Sequence, residues 1–417
     1  MNPAASDGGL LARETAEAAA RRSYGKLVAY LAARTRDVAA AEDALSQAFA
    51  AALADWPRNG CPTNPEAWLL TVARRRIIDD ARSHHRHEVA SERLENFAET
   101  LRAAGAEIPD QRLALLFACA HPAIDAAVRA PLMLQVVLGL DAKRIGSAFL
   151  ISPAAMGKRL VRAKEKIREA GIPFRIPERA ELPVRLEAVL DAIYAAFAEG
   201  WSDGSGTDVV RRDLAEEAIY LGRVVAELLP GQAEALGLLA LMLHAEARRA
   251  ARRNAAGEYV PLAEQDPALW NSRMIDEAEA LLVRASELRS IGRYQLEAAI
   301  QSAHVARRRT GQSNWAEVVA LYDALLELSG SPVVAMNRAV AIAELEGAAA
   351  GLAAMETVAH DPRFAEYQPY WAARAELLAR TGAMEEARHA YDVAIGLERD
   401  EAVRGFLQQR QARLNSL

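Results

Sequence analysis

Apolar residues recur at helical spacing along the whole chain. Between residues 36 and 57 they recur every three or four positions, at Val38, Ala41, Leu45, Phe49 and Leu53. Between residues 153 and 168 a narrow stripe has a similar period, formed by Met156, Leu160, Ala163 and Ile167. This spacing places each set on one face of an α-helix. Because residues beyond 181 read as one helix after another, the sequence predicts an all-α protein.

The segment around residue 152 predicts a helix-turn-helix. Ser152 suits a helix N-cap, and Pro153 suits the first helical position, where the missing amide hydrogen costs nothing. Upstream, Asp141 can cap a short helix that ends at Phe149, and a tight turn at Leu150–Ile151 joins the two helices.

The second of these helices is cationic on the face opposite its apolar stripe. The N-terminal end of a recognition helix enters the major groove, where small residues allow close approach, and cations further along meet phosphates. The predicted groove residues are therefore Ser152, Ala154, Ala155, Lys158, Arg159 and Arg162. A solvated amphipathic surface helix is the alternative interpretation.

A second basic cluster lies at residues 64–87. Pro65 opens a helix that carries Trp68 on its apolar side and Arg74, Arg75 and Arg76 nearby. An aromatic ring among arginines is typical of surfaces that stack bases and follow a phosphate backbone. Trp68 as an ordinary core residue is the alternative. The histidines that follow have no spaced cysteine or carboxylate partners, so a polar linker is expected there and not a metal site.

Charge separates the chain into two parts. Residues 1–180 contain 26 Lys and Arg against 21 Asp and Glu, and residues 181–417 contain 24 against 35. A basic module that meets a polyanion, joined to an acidic body, fits this asymmetry, and so do two differently charged solvated surfaces.

Several classes of protein are not expected. The sequence shows no apolar run long enough to span a membrane and no secretory signal, so a cytoplasmic protein is predicted. The chain has two cysteines, Cys61 and Cys119, too few for a disulfide framework. The Cys119–Pro122 segment reads as buried helix. No phosphate-binding glycine motif or spaced metal-ligand set is present, so neither an enzyme nor a cofactor is predicted.

The order of the N-terminal motifs resembles that of the extracytoplasmic-function sigma factors of the bacterial sigma-70 family. A helix "AEDALSQAF", then "AWLLTVARRR", a charged linker and a helix-turn-helix ending in "RLVRAKEKI" follow one another within residues 20–172. The long C-terminal remainder resembles the tetratricopeptide-like extension that some of these factors carry. The expected divisions are a region 2-like domain at 10–85, a linker at 86–108, a region 4-like helix-turn-helix domain at 109–175, a helical extension at 181–275 and tetratricopeptide-like repeats at 276–417.

The resemblance implies partners and roles for matching positions. Core RNA polymerase and promoter DNA are the expected partners. The polymerase-binding residues would be Asp37, Glu42, Asp43, Gln47 and Phe49. The residues that melt and hold the −10 element would be Trp68, Arg74, Arg75 and Arg76, and the helix-turn-helix residues given above would read the −35 element.

The acidic extension shows one clear repeat-like pattern. Near its end, Trp371, Gly382, Tyr391 and the small residues between them follow the spacing of a 34-residue tetratricopeptide repeat. A generic helical bundle is the alternative. Such a repeat domain builds a surface for a regulatory protein or peptide. The basic cluster Arg248, Arg249, Arg252 and Arg253 is expected on an exposed face.

These observations favour a transcription initiation factor that brings RNA polymerase to a promoter. A helix-turn-helix transcription regulator with a partner-sensing repeat domain, which needs no polymerase contact, is the main alternative. An interaction scaffold with an incidental basic half is the third. The segment from 37 to 76 distinguishes them, because only the first requires both a polymerase-docking helix and a strand-melting cluster.

Overall fold

The computed structural model describes residues 3–83, 111–148, 151–172, 174–175, 177–178, 180–201 and 208–414. The chain forms two compact units, Met1–Glu199 and Gly200–Leu417. Secondary structure in the described ranges is helical, apart from an isolated bridge between Arg253 and Tyr259. The predicted all-α class is therefore confirmed.

The N-terminal unit contains helices on both sides of residues 84–110. They are α1 Pro3–Thr35, α2 Val38–Asn59, α3 Pro65–Ser83, α4 Arg112–Cys119, α5 Ala126–Leu138, α6 Ala142–Ala148, α7 Pro153–Glu169 and the start of α8 Leu182–Trp201.

The helices before and after residues 84–110 pack against one another. Helix α1 contacts α2, α3, α4 and α5, and α7 contacts α2, α5 and α6. Their shared core contains large buried side chains, among them Leu27, Leu45, Trp56, Leu69, Phe117 and Leu132. The linker expected at 86–108 lies outside the described residues. The boundaries of the domains expected at 10–85 and 109–175 stay predictions.

Glycine allows the close approach of α1 to α5. A Cβ atom placed on Gly25 would lie 1.7 Å from the backbone oxygen of Val137. Real Cβ atoms cannot come so near to a carbonyl oxygen, so the two backbones meet only because residue 25 has no side chain.

The C-terminal unit continues with helices of ordinary length. They are α9 Asp208–Leu228, α10 Ala233–Glu246, α11 Ser272–Glu287, α12 Arg293–Thr310, α13 Trp315–Ser329, α14 Pro332–Glu346, α15 Ala348–Glu356, α16 Gln368–Thr381, α17 Met384–Leu397 and α18 Glu401–Arg413.

Neighbouring helices of this unit pack in succession, with α13 on α14, α14 on α15, α15 on α16, α16 on α17 and α17 on α18. Gly382 ends α16 with a left-handed φ of 84°, which favours glycine at the turn into α17. Tyr391 is buried, and its hydroxyl donates to Glu376 Oε2 at 3.0 Å. These positions of the repeat-like pattern therefore form the α16–α17 hairpin and its core.

The arginine cluster at 248–253 differs from its expected exposure. All four side chains are half-buried. The guanidinium groups of Arg249 and Arg252 lie 5.0 and 4.6 Å from the centre of the Trp201 ring. Arg248 donates to Gln301 Oε1 at 2.5 Å, and burial lowers the pKa of Arg248 to about 10. The prediction of an exposed basic face was wrong, because these arginines hold the end of α8 and helix α12 in place.

Candidate nucleic-acid interface

Helices α6 and α7 are the two helices of the predicted helix-turn-helix. The Ser152 hydroxyl caps α7 by accepting from Ala155 N at 3.4 Å, and Asp141 caps α6 by accepting from Arg144 N at 2.8 Å. The turn is closed by a hydrogen bond from Ile151 N to Gly146 O at 2.8 Å. A Cβ atom on Gly146 would lie 2.5 Å from Ile151 O. The two caps and the close approach at Gly146 therefore fix the position of α7 relative to α6.

The apolar stripe of α7 is buried in the N-terminal unit. Met156, Leu160, Ala163 and Ile167 are each at most 6% exposed. Of the predicted groove residues, Ala155 is half-buried and the others are exposed, namely Ser152, Ala154, Lys158, Arg159 and Arg162. Five of the six predicted −35 residues are therefore accessible to solvent, and their role in DNA binding stays a prediction. Phe149 and Leu150 lie outside the described residues.

Helix α3 carries the second predicted cluster. Asn64 caps it by accepting from Ala67 N at 3.0 Å, and Ser23 on α1 donates to Glu66 in its first turn. Arg75 and Arg76 are exposed, and Arg74 is half-buried.

Trp68 is half-buried and packs edge-on against Trp56. The ring centres are 5.4 Å apart with an interplanar angle of 68°, and Trp56 itself is 1% exposed. Trp68 is therefore neither a core residue nor a free side chain. Its ring contacts a buried neighbour and remains partly exposed to solvent.

Helix α2 divides the predicted polymerase set into two groups. Asp43 and Gln47 are exposed, and Phe49 is half-buried. Asp37 and Glu42 instead make contacts within the unit. Asp37 caps α2 by accepting from Ala40 N at 3.0 Å, and Glu42 Oε2 accepts from Lys164 Nζ on α7 at 2.7 Å.

The buried face of α2 follows a different line from the expected one at its C-terminal end. Trp56 is fully buried, whereas Leu53 is 51% exposed. An α-helix has 3.6 residues per turn, so residues spaced four apart rotate gradually away from the buried face. The buried face of α2 therefore continues through Ala48, Ala52 and Trp56. The exposed Leu53 lies one turn beyond the half-buried Phe49, and the two side chains add apolar area to the solvent-facing side of α2.

The Cys119–Pro122 segment contains a buried thiol and an engaged imidazole. Cys119 is fully buried, and burial raises the pKa of its thiol far above the usual range. His121 Nδ1 accepts from Ala123 N at 3.1 Å, and burial lowers the pKa of His121. A buried neutral thiol is a weak nucleophile and metal ligand, so this pair has the features of a packed helix end.

Metal and membrane features were sought in the described ranges. No group of three His, Cys, Asp or Glu residues there is close enough to hold a metal ion. No helix among them combines the length and apolarity needed to cross a membrane. His84, His85 and His87 lie outside those ranges.

The C-terminal unit has a groove of about 870 Å³ beside the α16–α17 hairpin. Its lining combines aromatic rings with charged groups, among them Tyr370, Trp371, Arg374, Glu386 and His389. The indole of Trp371 donates to Phe364 O at 3.0 Å and lies edge-on to His389, with ring centres 6.4 Å apart. The groove therefore has fixed rings and charges of both signs.

Helices α10, α11 and α12 bring together a group of polar side chains, of which His244 is buried. His244 on α10 is 0% exposed, and its Nε2 lies 3.5 Å from Glu279 Oε1 on α11. Ser302 on α12 donates to both oxygens of that carboxylate, at 2.7 and 2.9 Å. Burial, with Arg248 and Arg309, lowers the pKa of His244 to about 4, so the ring is neutral at pH 7. The Ser302–Glu279 hydrogen bonds therefore join α11 to α12, whereas neither ring nitrogen of the neutral His244 on α10 has a hydrogen-bond partner among the described residues.

Comparison with known proteins identifies two segments of the chain. Residues 20–87 match the model of sigma-70 region 2, and this range contains the second half of α1 together with α2 and α3. Residues 185–286 match a family of unknown function, DUF6596. No solved structure matches the chain.

A whole-length relative is an uncharacterized protein of Rhizobium meliloti (strain 1021). It is 39% identical over 396 residues, which are 93% of this chain and 92% of that protein. Sigma-70 region 2 is a domain of non-enzymatic transcription factors. The chain therefore belongs to the family of this Rhizobium meliloti protein and is a sigma-70-like factor, with sigma-70 region 2 near its N-terminus followed by a DUF6596 domain.

Proposed function

We propose that the protein is an RNA polymerase sigma factor of the extracytoplasmic-function type, which recruits core polymerase to −10 and −35 promoter elements and initiates transcription. The observation that carries the proposal is the region 2 match at residues 20–87, which contains both the acidic helix α2 and the Trp68–Arg76 segment. A protein with these partners acts in the cytoplasm.

Helix α7 would read the −35 element. Small exposed side chains at its N-terminal end, Ser152 and Ala154, let the backbone approach base edges, and the exposed cations further along meet phosphates.

Helix α3 would melt and hold the −10 element. Opening a duplex costs the unstacking of a base, and this cost is offset when the base is captured on an aromatic surface. Trp68, held by Trp56, offers that surface, and exposed Arg75 and Arg76 can follow the strand.

Helix α2 would dock on core polymerase. Asp43 and Gln47 supply exposed polar contacts, and Phe49 with the exposed Leu53 supplies apolar ones. A mixed surface of this kind suits an interface with a polar rim and an apolar centre.

Run-off transcription tests the proposal. Purified full-length protein and bacterial core polymerase are combined on a library of promoter fragments, with core polymerase alone as the control. Promoter-dependent transcripts are expected only when the protein is present. If it binds specific duplexes but never directs a transcript, the helix-turn-helix regulator becomes the better interpretation.

Replacing Arg159 with alanine should weaken promoter binding. Losing one phosphate contact should reduce the slope of log K against log salt by about 1, because one fewer counterion is released. Fluorescence anisotropy at several salt concentrations measures both quantities. Arg13, an exposed cation on α1, is the matched control, and its alanine variant should keep the full slope. An unchanged slope for Arg159→Ala would exclude a phosphate contact.

Replacing Asp43 with arginine should weaken the association with core polymerase by about tenfold, as expected for reversing one exposed charge at an interface. The fold should survive, because Asp43 is exposed. Asp55→Arg on the same helix, outside the predicted docking set, is the control. Affinity is measured by bio-layer interferometry and helicity by circular dichroism. An equal loss of helicity and affinity would reveal a folding defect.

For the C-terminal extension we infer a regulatory role, with a protein or peptide as the ligand of its tetratricopeptide-like repeats. Its acidity and the groove beside α16 and α17 support this inference. Ending the chain after Glu199 keeps Arg185, whose guanidinium lies 3.5 Å from Phe117 O in the N-terminal unit. Transcription that is unchanged by this truncation, in cells and in vitro, would show the regulatory role to be wrong.

A further inference from the structure

Helix α7 carries two cations beside its buried stripe that pair with α2. Lys164 Nζ lies 2.7 Å from Glu42 Oε2, and the two side chains are 16% and 13% exposed. One turn further, Arg168 Nη1 lies 3.8 Å from Asp37 Oδ2. Both ion pairs join a helix before residues 84–110 to a helix after them.

The Glu42–Lys164 pair is more than a surface contact. Glu42 lies close enough to Tyr24 on α1 and to Cys119 on α4 that its charge adds to burial in raising the pKa of each. A carboxylate in such surroundings needs a cation, and removing that cation leaves a charge without compensation in a region of low dielectric. The pair therefore holds α2 and α7 together.

The pairs cover part of the surface proposed for polymerase. Asp37 and Glu42 belong to the predicted docking set, and both are engaged by α7. The groove residues Lys158, Arg159 and Arg162 on the same helix α7 remain exposed. In this arrangement the DNA-reading residues are exposed, and so are Asp43 and Gln47 of the docking set, whereas Asp37 and Glu42 of that set are covered by α7.

We propose that the α2–α7 contact is an autoinhibitory latch, in which Lys164 and Arg168 hold Asp37 and Glu42 away from core polymerase until the two helices separate. The inference rests on the proposed sigma-factor function. Polymerase then binds only the open fraction, and its apparent affinity is reduced in proportion to that fraction.

Chemical cross-linking can detect the latch, and charge-reversal variants can open it. A carbodiimide joins a lysine to a carboxylate only when the two are in contact, forming an amide with the loss of one water, so mass spectrometry of the free full-length protein should find Glu42 linked to Lys164. Lys164→Glu places two carboxylates together and should open the latch. Lys166→Glu makes the same charge change at an exposed position of α7 and is the matched control.

The expected result is a gain in affinity. Lys164→Glu should bind core polymerase about tenfold more tightly than the wild type, Lys166→Glu should bind like the wild type, and the cross-linked protein should not bind. Arg168→Glu, at a half-exposed side chain, should give a smaller gain and provides a second variant if Lys164→Glu fails to fold.

The outcomes separate the inference from the function on which it rests. If wild type and open variants bind polymerase equally, the latch is overturned and the sigma-factor function stands. If the cross-link is absent from the free wild-type protein, the latch is overturned as well. If no variant binds polymerase although opening is shown by loss of the Glu42–Lys164 product in Arg168→Glu, which keeps both partners of the cross-link, the proposed function itself fails.

Discussion

Replacing Gly25 with alanine is expected to lower the local free energy of unfolding of the N-terminal unit by about 3 kcal/mol or more, the upper end for an overpacked core. The added Cβ atom would lie 1.7 Å from Val137 O. A backbone oxygen cannot rotate away as a side chain can, so α1 and α5 must separate.

Hydrogen exchange resolved by mass spectrometry measures this effect helix by helix. Peptides from α1 and α5 should exchange faster, and those from the C-terminal unit provide an internal reference. Gly157→Ala is the matched control, because a Cβ atom there meets nothing nearer than Ala142 Cβ at 4.0 Å. That variant should stabilise α7 by up to about 1 kcal/mol, the helix propensity difference. Unchanged exchange in Gly25→Ala would contradict the close packing of α1 on α5.

Replacing Trp68 with alanine should reduce transcription from a duplex promoter by about 5- to 150-fold, which corresponds to the loss of one base-stacking contact of about 1–3 kcal/mol. The indole is half-buried and supported by Trp56 at 5.4 Å, so the loss concerns a positioned ring. Permanganate reactivity of the −10 thymines reports on melting directly and should fall in parallel.

A premelted template separates melting from recruitment. When the −10 segment is already mismatched, the cost of unpairing is absent, so Trp68→Ala should recover most of its activity there. Trp68→Phe keeps a stacking ring and should fall between the alanine variant and the wild type. An equal loss on both templates would assign Trp68 to recruitment or to folding.

Features set by local chemistry were readable from the sequence. Ser152 and Asp141 cap helix starts through backbone amides three positions away, Pro153 fits the first helical position, and the stripe from Met156 to Ile167 follows from helical period alone. These features depend little on distant parts of the chain, so the N-caps of α6 and α7 and the buried stripe of α7 could be predicted from the sequence, and the role of the two helices in DNA binding stays a prediction.

Features that depend on tertiary contact were not readable. Lys164 lies at the edge of the α7 stripe, one turn from Leu160 and Ile167, and only the packing of α2 makes it a buried partner of Glu42. Gly25 has no local signature, because its carbonyl neighbour is more than a hundred residues away. Arg248 appeared to be one of several surface cations, although it is half-buried and donates to Gln301 on α12. The carboxylate position at the edge of an apolar stripe is the signal that would have indicated Glu42.

The two thiols of the chain differ sharply in accessibility. Cys61 lies half-buried in the loop between α2 and α3, and Cys119 is sealed between α4 and its neighbours. A maleimide dye will therefore label the loop between α2 and α3 at Cys61 without any engineered cysteine. The rate at which Cys119 is modified then reports how often the N-terminal unit opens to solvent.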